Sequence, residues 1–319
     1  MNKIVVSEFL HRDALDLLAD RADLEYDPGL HERPVDLKAA LTGAAALVVR
    51  NQTQVTAPLL AGTSLRAVGR VGVGLDNLDL TALREAGVTV TWAPGTNATS
   101  VAEYVIGAML SLARLFPETS PKVHAGHWDR QAAIGFELKG RTLGIVGLGD
   151  IGSRVGRRAQ ALGMRLLASD PALGPESPAV RELGARLVPL AELLAEADVV
   201  SLHAPLLPST LGMIGSETLA LMKPGGYLIN TARGELVDER ALASVLRDGR
   251  LAGAALDVRD PEPPGASDPL KGLRNVLLTP HIAGVTEESL RRACTHVAED
   301  VLRVLSGERP VSEVPEAAA

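Results

Sequence analysis

The stretch Thr142–Gly152, Thr-Leu-Gly-Ile-Val-Gly-Leu-Gly-Asp-Ile-Gly, constrains this chain more than any other. Leu143, Ile145 and Val146 read as a short buried strand, and Gly147-Leu148-Gly149-Asp150-Ile151-Gly152 then fills the pattern G-x-G-x-x-G. Beyond it Ile151, Val155, Ala159 and Leu162 recur at helical spacing, and Gly163 reads as the helix stop. Glycines between a strand and a helix are the context in which this pattern holds a dinucleotide. Gly147 permits the tight turn, Gly149 a close approach of backbone to pyrophosphate, and Gly152 the packing of helix on strand. The phosphates would rest on free N–H groups at the helix start. A second strand, Arg165–Ser169, ends in Asp170, where a dinucleotide fold places a carboxylate on the ribose hydroxyls. Its charge would repel a 2′-phosphate and no Arg or Lys follows it, so the motif predicts NAD rather than NADP. Asp150 fits less well: a negative charge beside the pyrophosphate requires a side chain turned to solvent.

A chain of 319 residues has room for two domains, and 46% hydrophobic content supports a large core. The net charge of −7, with no basic run, argues against nucleic acid or an anionic membrane as partner. Cys294 is the only cysteine, which excludes an intrachain disulfide and predicts a cytoplasmic protein. Met1–Val6 enters a predicted strand without a signal-peptide layout. No apolar run reaches the ~18 residues of a membrane span.

Residues 1–97 alternate between strands (Lys3–Val6, Leu24–Tyr26, Ala46–Val49, Ala67–Val71, Val88–Thr91) and helices (near Leu10–Asp20, Leu37–Thr42, Ala57–Gly62, Leu80–Ala86). Such alternation predicts a parallel sheet flanked by helices, complete before the glycine motif begins. Thr99–Phe116 reads as one long helix, apolar nearly all round and so buried on all sides, between domains or between subunits. From Leu143 the alternation resumes through Asp198–Leu202, Gly226–Asn230, Ala252–Leu256 and Val276–Leu278. A last helix, about Glu287–Ser306, could return to complete the first domain. The tail Glu308–Ala319 is expected to be loose at its end.

In an open α/β sheet ligands bind at the carboxyl ends of strands. Arg233 follows Gly226–Asn230, Asp257 and then Glu262 follow Ala252–Leu256, and His281 follows Val276–Leu278. Singly, each has an ordinary reading: a solvated Arg, an exposed Glu, a structural His. Together, beside a nicotinamide, they become candidates for proton and carboxylate chemistry. Arg50, after Ala46–Val49, and Gly72-Val73-Gly74, after Ala67–Val71, stand on the same edge of the first domain, where a Gly-x-Gly turn could hold a carboxylate or be a plain turn. His203, after Asp198–Leu202, could line the cofactor site or cap the strand. Without His-x-x-x-His or Cys-x-x-Cys no metal is expected, and no G-x-S-x-G elbow points to a hydrolase.

These residues resemble the D-isomer-specific 2-hydroxyacid dehydrogenases. The resemblance is carried by Val49–Thr56, Gly69–Asn77, Asn97–Glu103, Trp128, Glu137–Gly152, His203–Thr210, Asn230–Glu239, Ala255–Val258 with Glu262-Pro263, and Thr279–Gly284, nearly the whole chain. It is nearest the phosphoglycerate dehydrogenase and hydroxypyruvate reductase branch. It implies two doubly wound parallel-sheet domains, a Rossmann NAD-binding domain (99–286) inserted into a flavodoxin-like substrate domain (1–98 and 287–319). It implies catalysis by Arg233, Glu262 and His281. Asp170 would hold the adenosine ribose and Asp257 the nicotinamide carboxamide, with Asp150, Ile151, Ala204, Thr231, Ala232, Ala283 and Gly284 lining the cofactor. Val73 and Gly74 would meet the substrate carboxylate, with Arg50 and Asn97 nearby. A homodimer is implied, with the long helix at its interface.

The implied activity is hydride transfer between NAD and a small-molecule 2-keto or D-2-hydroxy acid. Phosphoglycerate-type members carry Lys where Gln54 stands and basic residues near Gln131-Ala132. Only Arg50 and Arg130 remain for a phosphate, so an unphosphorylated substrate such as hydroxypyruvate or glyoxylate is expected. Since the chain stops soon after its last helix, no C-terminal regulatory domain is expected. The alternatives are an NAD(H)-sensing binding protein of the co-repressor type, and a phosphite- or formate-type dehydrogenase on the same fold.

Overall fold

The computed structural model describes residues 1–315. They form two compact units, Met1–Asn97 with the residues from Val285 onward, and Ala98–Gly284.

The first unit is an all-parallel five-stranded sheet of β1 (Lys3–Val6), β2 (Asp23–Tyr26), β3 (Ala44–Val49), β4 (Ala67–Arg70) and β5 (Thr89–Trp92), in the order β2-β1-β3-β4-β5. That order is flavodoxin-like. β1, β3 and β4 are nearly continuous apolar runs because helices cover both faces. On one face α1 (Arg12–Ala19) and the C-terminal helix Glu287–Leu305 pack Leu18, Val297 and Val301 against Ile4, Val6 and Val48. On the other, α2 (Pro34–Ala40), α3 (Ala57–Leu60) and α4 (Leu80–Glu85) bring Leu37, Leu60 and Leu83 to Val5, Leu47 and Val68. The C-terminal helix therefore does complete the first unit. Its approach requires Gly69, where a Cβ would lie 2.6 Å from Val297 Cγ1 and 2.7 Å from Val301 Cγ2. Beyond the helix, buried Asp300 accepts hydrogen bonds from the N–H groups of Val311 and Ser312, and Glu313 bridges to Thr91. The tail is thus tied to the edge of β5 as far as Val314, and its last residues, 316–319, lie outside the described part.

The second unit holds seven parallel strands: β6 (Thr142–Val146), β7 (Arg165–Ser169), β8 (Arg186–Leu187), β9 (Val199–Leu202), β10 (Gly226–Asn230), β11 (Leu251–Leu256) and β12 (Val276–Leu278). Their order, β8-β7-β6-β9-β10-β11-β12, is the 3-2-1-4-5-6 Rossmann order with one strand added. α5 (Ala98–Ala113), α6 (Phe116–His124), α7 (Asp150–Ala161) and α8 (Pro178–Leu183) precede α9 (Leu190–Glu196), α10 (Ser216–Leu221) and α11 (Glu239–Arg247). α5, α7 and α8 cover one face, and α9 to α11 the other.

The helix expected over Thr99–Phe116 ends at Ala113. Leu115 turns into the left-handed region (φ 56°), and Pro117 opens a second helix, α6, absent from the sequence reading. Nor is α5 buried on all sides within this chain: Glu103, Gly107 and Leu110 form an exposed stripe, while Val105, Met109 and Leu112 are buried. No single helix among the described residues is long and apolar enough to cross a membrane; α5 and α6 meet that test only as a pair bent by 64°.

Candidate active site

The glycine loop connects β6 to α7 as its sequence predicts. Gly147 has φ 90°, and a Cβ there would lie 2.8 Å from the His203 carbonyl; a Cβ on Gly152 would lie 2.2 Å from Gly147 O. Above Gly149 nothing lies within 4 Å of a Cβ position. Gly149 caps α7 without a side-chain hydrogen bond, so the first N–H groups of the helix have no acceptor within it. An open, donor-lined approach between two tightly packed glycines fits a pyrophosphate. The Asp150 side chain is about half exposed and ion-pairs with Arg154 at 2.7 Å, so its charge is offset within the same helix. Ile151 follows in the first turn of α7. Asp170, just past β7, accepts from the N–H groups of Leu148 (2.9 Å) and Ala172 (3.0 Å). A carboxylate anchored there keeps lone pairs for ribose hydroxyls.

His203 caps the strand rather than offering a free imidazole. Its N–H donates to Val146 O, and its Nε2 meets Ser201 Oγ at 2.9 Å. Burial pushes its pKa down to about 4, so it is neutral at pH 7. Ala204, next in the chain, is buried in the core under the sheet.

The other candidates leave neighbouring strand ends. Asn230, Leu256 and Leu278 are register partners at the carboxyl ends of β10, β11 and β12. After β10 the buried Asn230 side chain shapes the turn Thr231-Ala232-Arg233. Its Oδ1 accepts from Ala232 N–H and its Nδ2 donates to Arg233 O. Arg233 Nη1 donates to Ala232 O. Thr231 Oγ1 is buried with no hydrogen-bond partner among the described residues. After β11, Asp257 is 1% exposed. It accepts from Thr279 Oγ1 (2.6 Å) and from the N–H groups of Ile282 (2.8 Å) and Ala283 (2.7 Å). Three of about four lone pairs are thus engaged in shaping the turn that carries His281, leaving room for one further donor. Tyr104 on α5 extends this chain by bonding Thr279 Oγ1, and burial pushes its phenol up, so the hydroxyl stays protonated and donates. Gly284 closes the turn.

His281 has φ 55°, a left-handed conformation uncommon for a residue with a Cβ. Its N–H donates to Asp257 O at 2.8 Å, which helps hold it there. Such strain is kept where surrounding structure over-determines it, commonly at functional sites. His281 Nδ1 donates to Glu262 Oε2 at 2.8 Å. With Nδ1 engaged, Nε2 is the ring atom left to meet a ligand. Glu262 Oε1 is held in turn by the Arg259 N–H at 2.9 Å. Sequence reasoning passed over Asn230, Thr279, Tyr104 and Arg259. For Asn230, Thr279 and Arg259 the one visible signal is position, at or just past a strand end; Tyr104 lies inside α5 and carries no such signal.

On the first unit, Arg50 follows β3 and its guanidinium lies 5.8 Å from the Phe9 ring centroid. Its loop is clamped by buried Glu8, whose carboxylate accepts from the N–H groups of Arg50, Gln52 and Thr53. Asn77 Nδ2 donates to the carbonyls of Arg50 and Thr53. Val73 and Gly74 are partly exposed after β4. The loop turns at Gly72 (φ 142°), where the Arg70 guanidinium fills the space of a Cβ. Asn97 Oδ1 is buried without a partner among the described residues.

A family model, D-isomer specific 2-hydroxyacid dehydrogenase, NAD binding domain, matches residues 106–283. The chain is 46% identical over 306 residues to the (S)-sulfolactate dehydrogenase of Chromohalobacter salexigens, covering 96% of this chain and 99% of that protein. It is 42% identical over 310 residues to the D-3-phosphoglycerate dehydrogenase of Methanocaldococcus jannaschii, covering 97% of this chain but only 58% of that longer protein. A crystal structure of a protein from Thermus thermophilus superposes with a TM-score of 0.91 at 37% identity, over 98% of this chain and 100% of the other.

Proposed function

The chain belongs to the D-isomer specific 2-hydroxyacid dehydrogenase family, and we propose that Arg233, Glu262 and His281 are its catalytic residues, acting on a small unphosphorylated 2-keto acid of the hydroxypyruvate or glyoxylate class. It is an NAD-dependent oxidoreductase of 2-hydroxy acids, so the co-repressor reading gives way to an enzyme. NAD, when bound, supplies the hydride acceptor or, reduced, the hydride donor. The single observation that carries the catalytic assignment is the Glu262–His281 pair at 2.8 Å, at the end of β12, on a backbone held left-handed.

In this reading Arg233 binds the carboxylate and polarises the keto group by charge-assisted hydrogen bonds. His281 gives the proton on Nε2 to the forming alkoxide, while Glu262 steadies the ring through Nδ1. To the cofactor we assign Gly147, Gly149, Asp150 and Ile151 through their backbone, with Gly152, Asp170, Ala204, Thr231, Ala232, Asp257, Ala283 and Gly284. To the substrate we assign Arg50, Val73, Gly74 and Asn97. The exposed stripe on α5, with exposed Phe116, Val123, Trp128 and Ile134, supports a homodimer. The lone cysteine and the NAD chemistry favour the cytoplasm as its site of action.

One observation favours a second substrate: a relative matched along nearly all of both chains is named for sulfolactate, and Arg50 is a cation that could meet a sulfonate. The test is kcat/KM at fixed NADH for hydroxypyruvate, glyoxylate, sulfopyruvate and phosphohydroxypyruvate, with phosphite and formate plus NAD as control donors. Hydroxypyruvate or glyoxylate should lead. A preference for phosphohydroxypyruvate would overturn the unphosphorylated reading, and one for sulfopyruvate would establish the second.

A further inference from the structure

We propose that Arg259 is a positioning residue for the Glu262–His281 pair, acting through a buried ion cluster that ties the loop carrying Glu262 to the segment carrying Arg233. The inference rests on the catalytic reading of Glu262 and His281.

Arg259 leaves the end of β11 and is 8% exposed. Its guanidinium forks onto Glu239, with Nε to Oε1 and Nη2 to Oε2 both at 2.7 Å. On its other side Nη2 donates to Asp268 Oδ1 at 2.6 Å and Nη1 to Oδ2 at 3.4 Å. Both carboxylates are nearly as buried as the Arg, with side chains 9% and 11% exposed. The same residue's backbone N–H donates to Glu262 Oε1, and Glu262 Oε2 accepts from His281 Nδ1. Arg259 therefore holds the carboxylate that orients the imidazole with its main chain, and the two ends of that carboxylate's surroundings with its side chain.

The need for such a clamp follows from the loop. Residues 260–267 are all exposed and contain no helix or strand. A segment of that kind, with little buried apolar contact, samples many conformations unless its ends are fixed. Asp268 fixes the far end and also accepts from Leu270 N–H. Glu239 opens α11, a few residues beyond Arg233 in the chain. Between them Gly234 lies directly on the near end of the Glu262 loop. A Cβ on Gly234 would be 2.1 Å from Arg259 C and O and 2.6 Å from Asp260 N. The cluster thus locks together two backbone segments, one bearing Arg233 and one bearing Glu262.

The chemistry of the cluster calls for Arg. A planar fork serves two carboxylates at once, whereas a Lys ammonium is a single point charge. The Arg259 guanidinium holds Asp268 below the usual carboxylate range, and Glu239 and Asp268 together raise Arg259 further. Removing the cation would leave two buried anions facing each other.

The test compares full-length Arg259→Lys, Arg259→Met and Glu239→Gln with Glu262→Gln and His281→Ala. It reads kcat, KM for the keto acid, the pH profile of kcat/KM, NADH Kd and Tm. A displacement of about 1 Å in a catalytic group can cost ~10²-fold. Arg259→Met is therefore expected to lose about that much kcat with NADH Kd unchanged, and to displace the pH profile in the same direction as Glu262→Gln. Arg259→Lys, the conservative variant, should recover only part of the loss. Should Arg259→Met fail to fold, Glu239→Gln, which keeps the shape but removes the charge and one of the two oxygens that accept from the Arg259 fork, carries the same comparison. A fall in Tm with kcat and pH profile unchanged in the folded enzyme would make the cluster a stability element only and overturn the proposal. The His281→Ala control separates the two readings. If it loses activity while the Arg259 and Glu239 variants do not, only the positioning role fails; if it turns over normally, the catalytic reading fails and takes this inference with it.

Discussion

Replacing His281 with alanine is expected to lower kcat by roughly 10²–10⁴-fold while NADH still binds, the range that a positioned proton donor commonly contributes. The two effects separate because the groups stand on different strand ends. The glycine loop and Asp170 follow β6 and β7, whereas His281 follows β12 at the far edge of the sheet. The imidazole is about half exposed and bonds the Glu262 carboxylate at the surface, so its loss opens no core cavity. The main-chain bond from residue 281 to Asp257 O and the Asp257 bonds to residues 282 and 283 survive the change. Steady-state turnover and fluorescence titration with NADH give the two readouts. Near-normal turnover would remove His281 from the proton-donor role.

Gly152→Ala is expected to reverse that pattern, losing NADH binding first. The new Cβ would lie 2.2 Å from Gly147 O and 3.1 Å from Ile145 Cγ2, and a backbone oxygen in a tight turn cannot step aside cheaply. The turn must open, which moves the N–H groups of the α7 start away from the pyrophosphate. Hydrogen bonds to a charged group contribute about 1.5–3 kcal/mol each. Losing two of them lowers NADH affinity by about 10²-fold or more. Overpacking at such a site also costs about 1–3 kcal/mol of stability. Isothermal titration and a denaturant melt measure both, and an unchanged Kd would show that the loop does not carry the phosphates.

Local pattern made much of this protein legible. The βα alternation, the strand–glycine–helix unit and the acid ending β7 all depend on residues close together in the chain, and each reading rests on a period or a spacing. What escaped depends on partners far apart. Nothing near Glu8 shows that its carboxylate will gather three N–H groups of the Arg50 loop, and nothing near Arg259 names Glu239. The attachment of residues 311 and 312 had no signal in the tail itself, because their anchor, Asp300, lies inside the preceding helix. β8 is two residues long, too short for any period to register. The break between α5 and α6 had a signal in Pro117, the first-turn proline of a new helix, but an apolar run across Leu115 masked it. Asp150 is the instructive middle case. Its awkward charge was visible in the sequence, and the answer, Arg154 one helical turn later, stood in the same line of text.

The central claim is that this fold moves a hydride between NAD and the carbonyl carbon of a 2-keto acid. Its most direct test is isotopic. The enzyme is supplied with hydroxypyruvate and NADH carrying deuterium at both C4 positions, and the product is examined by mass spectrometry and NMR. The expected result is glycerate of D configuration with one deuterium at C2, formed as NADH is consumed. Tight binding of NADH with no deuterium delivered to C2 of any 2-keto acid in the panel would contradict it.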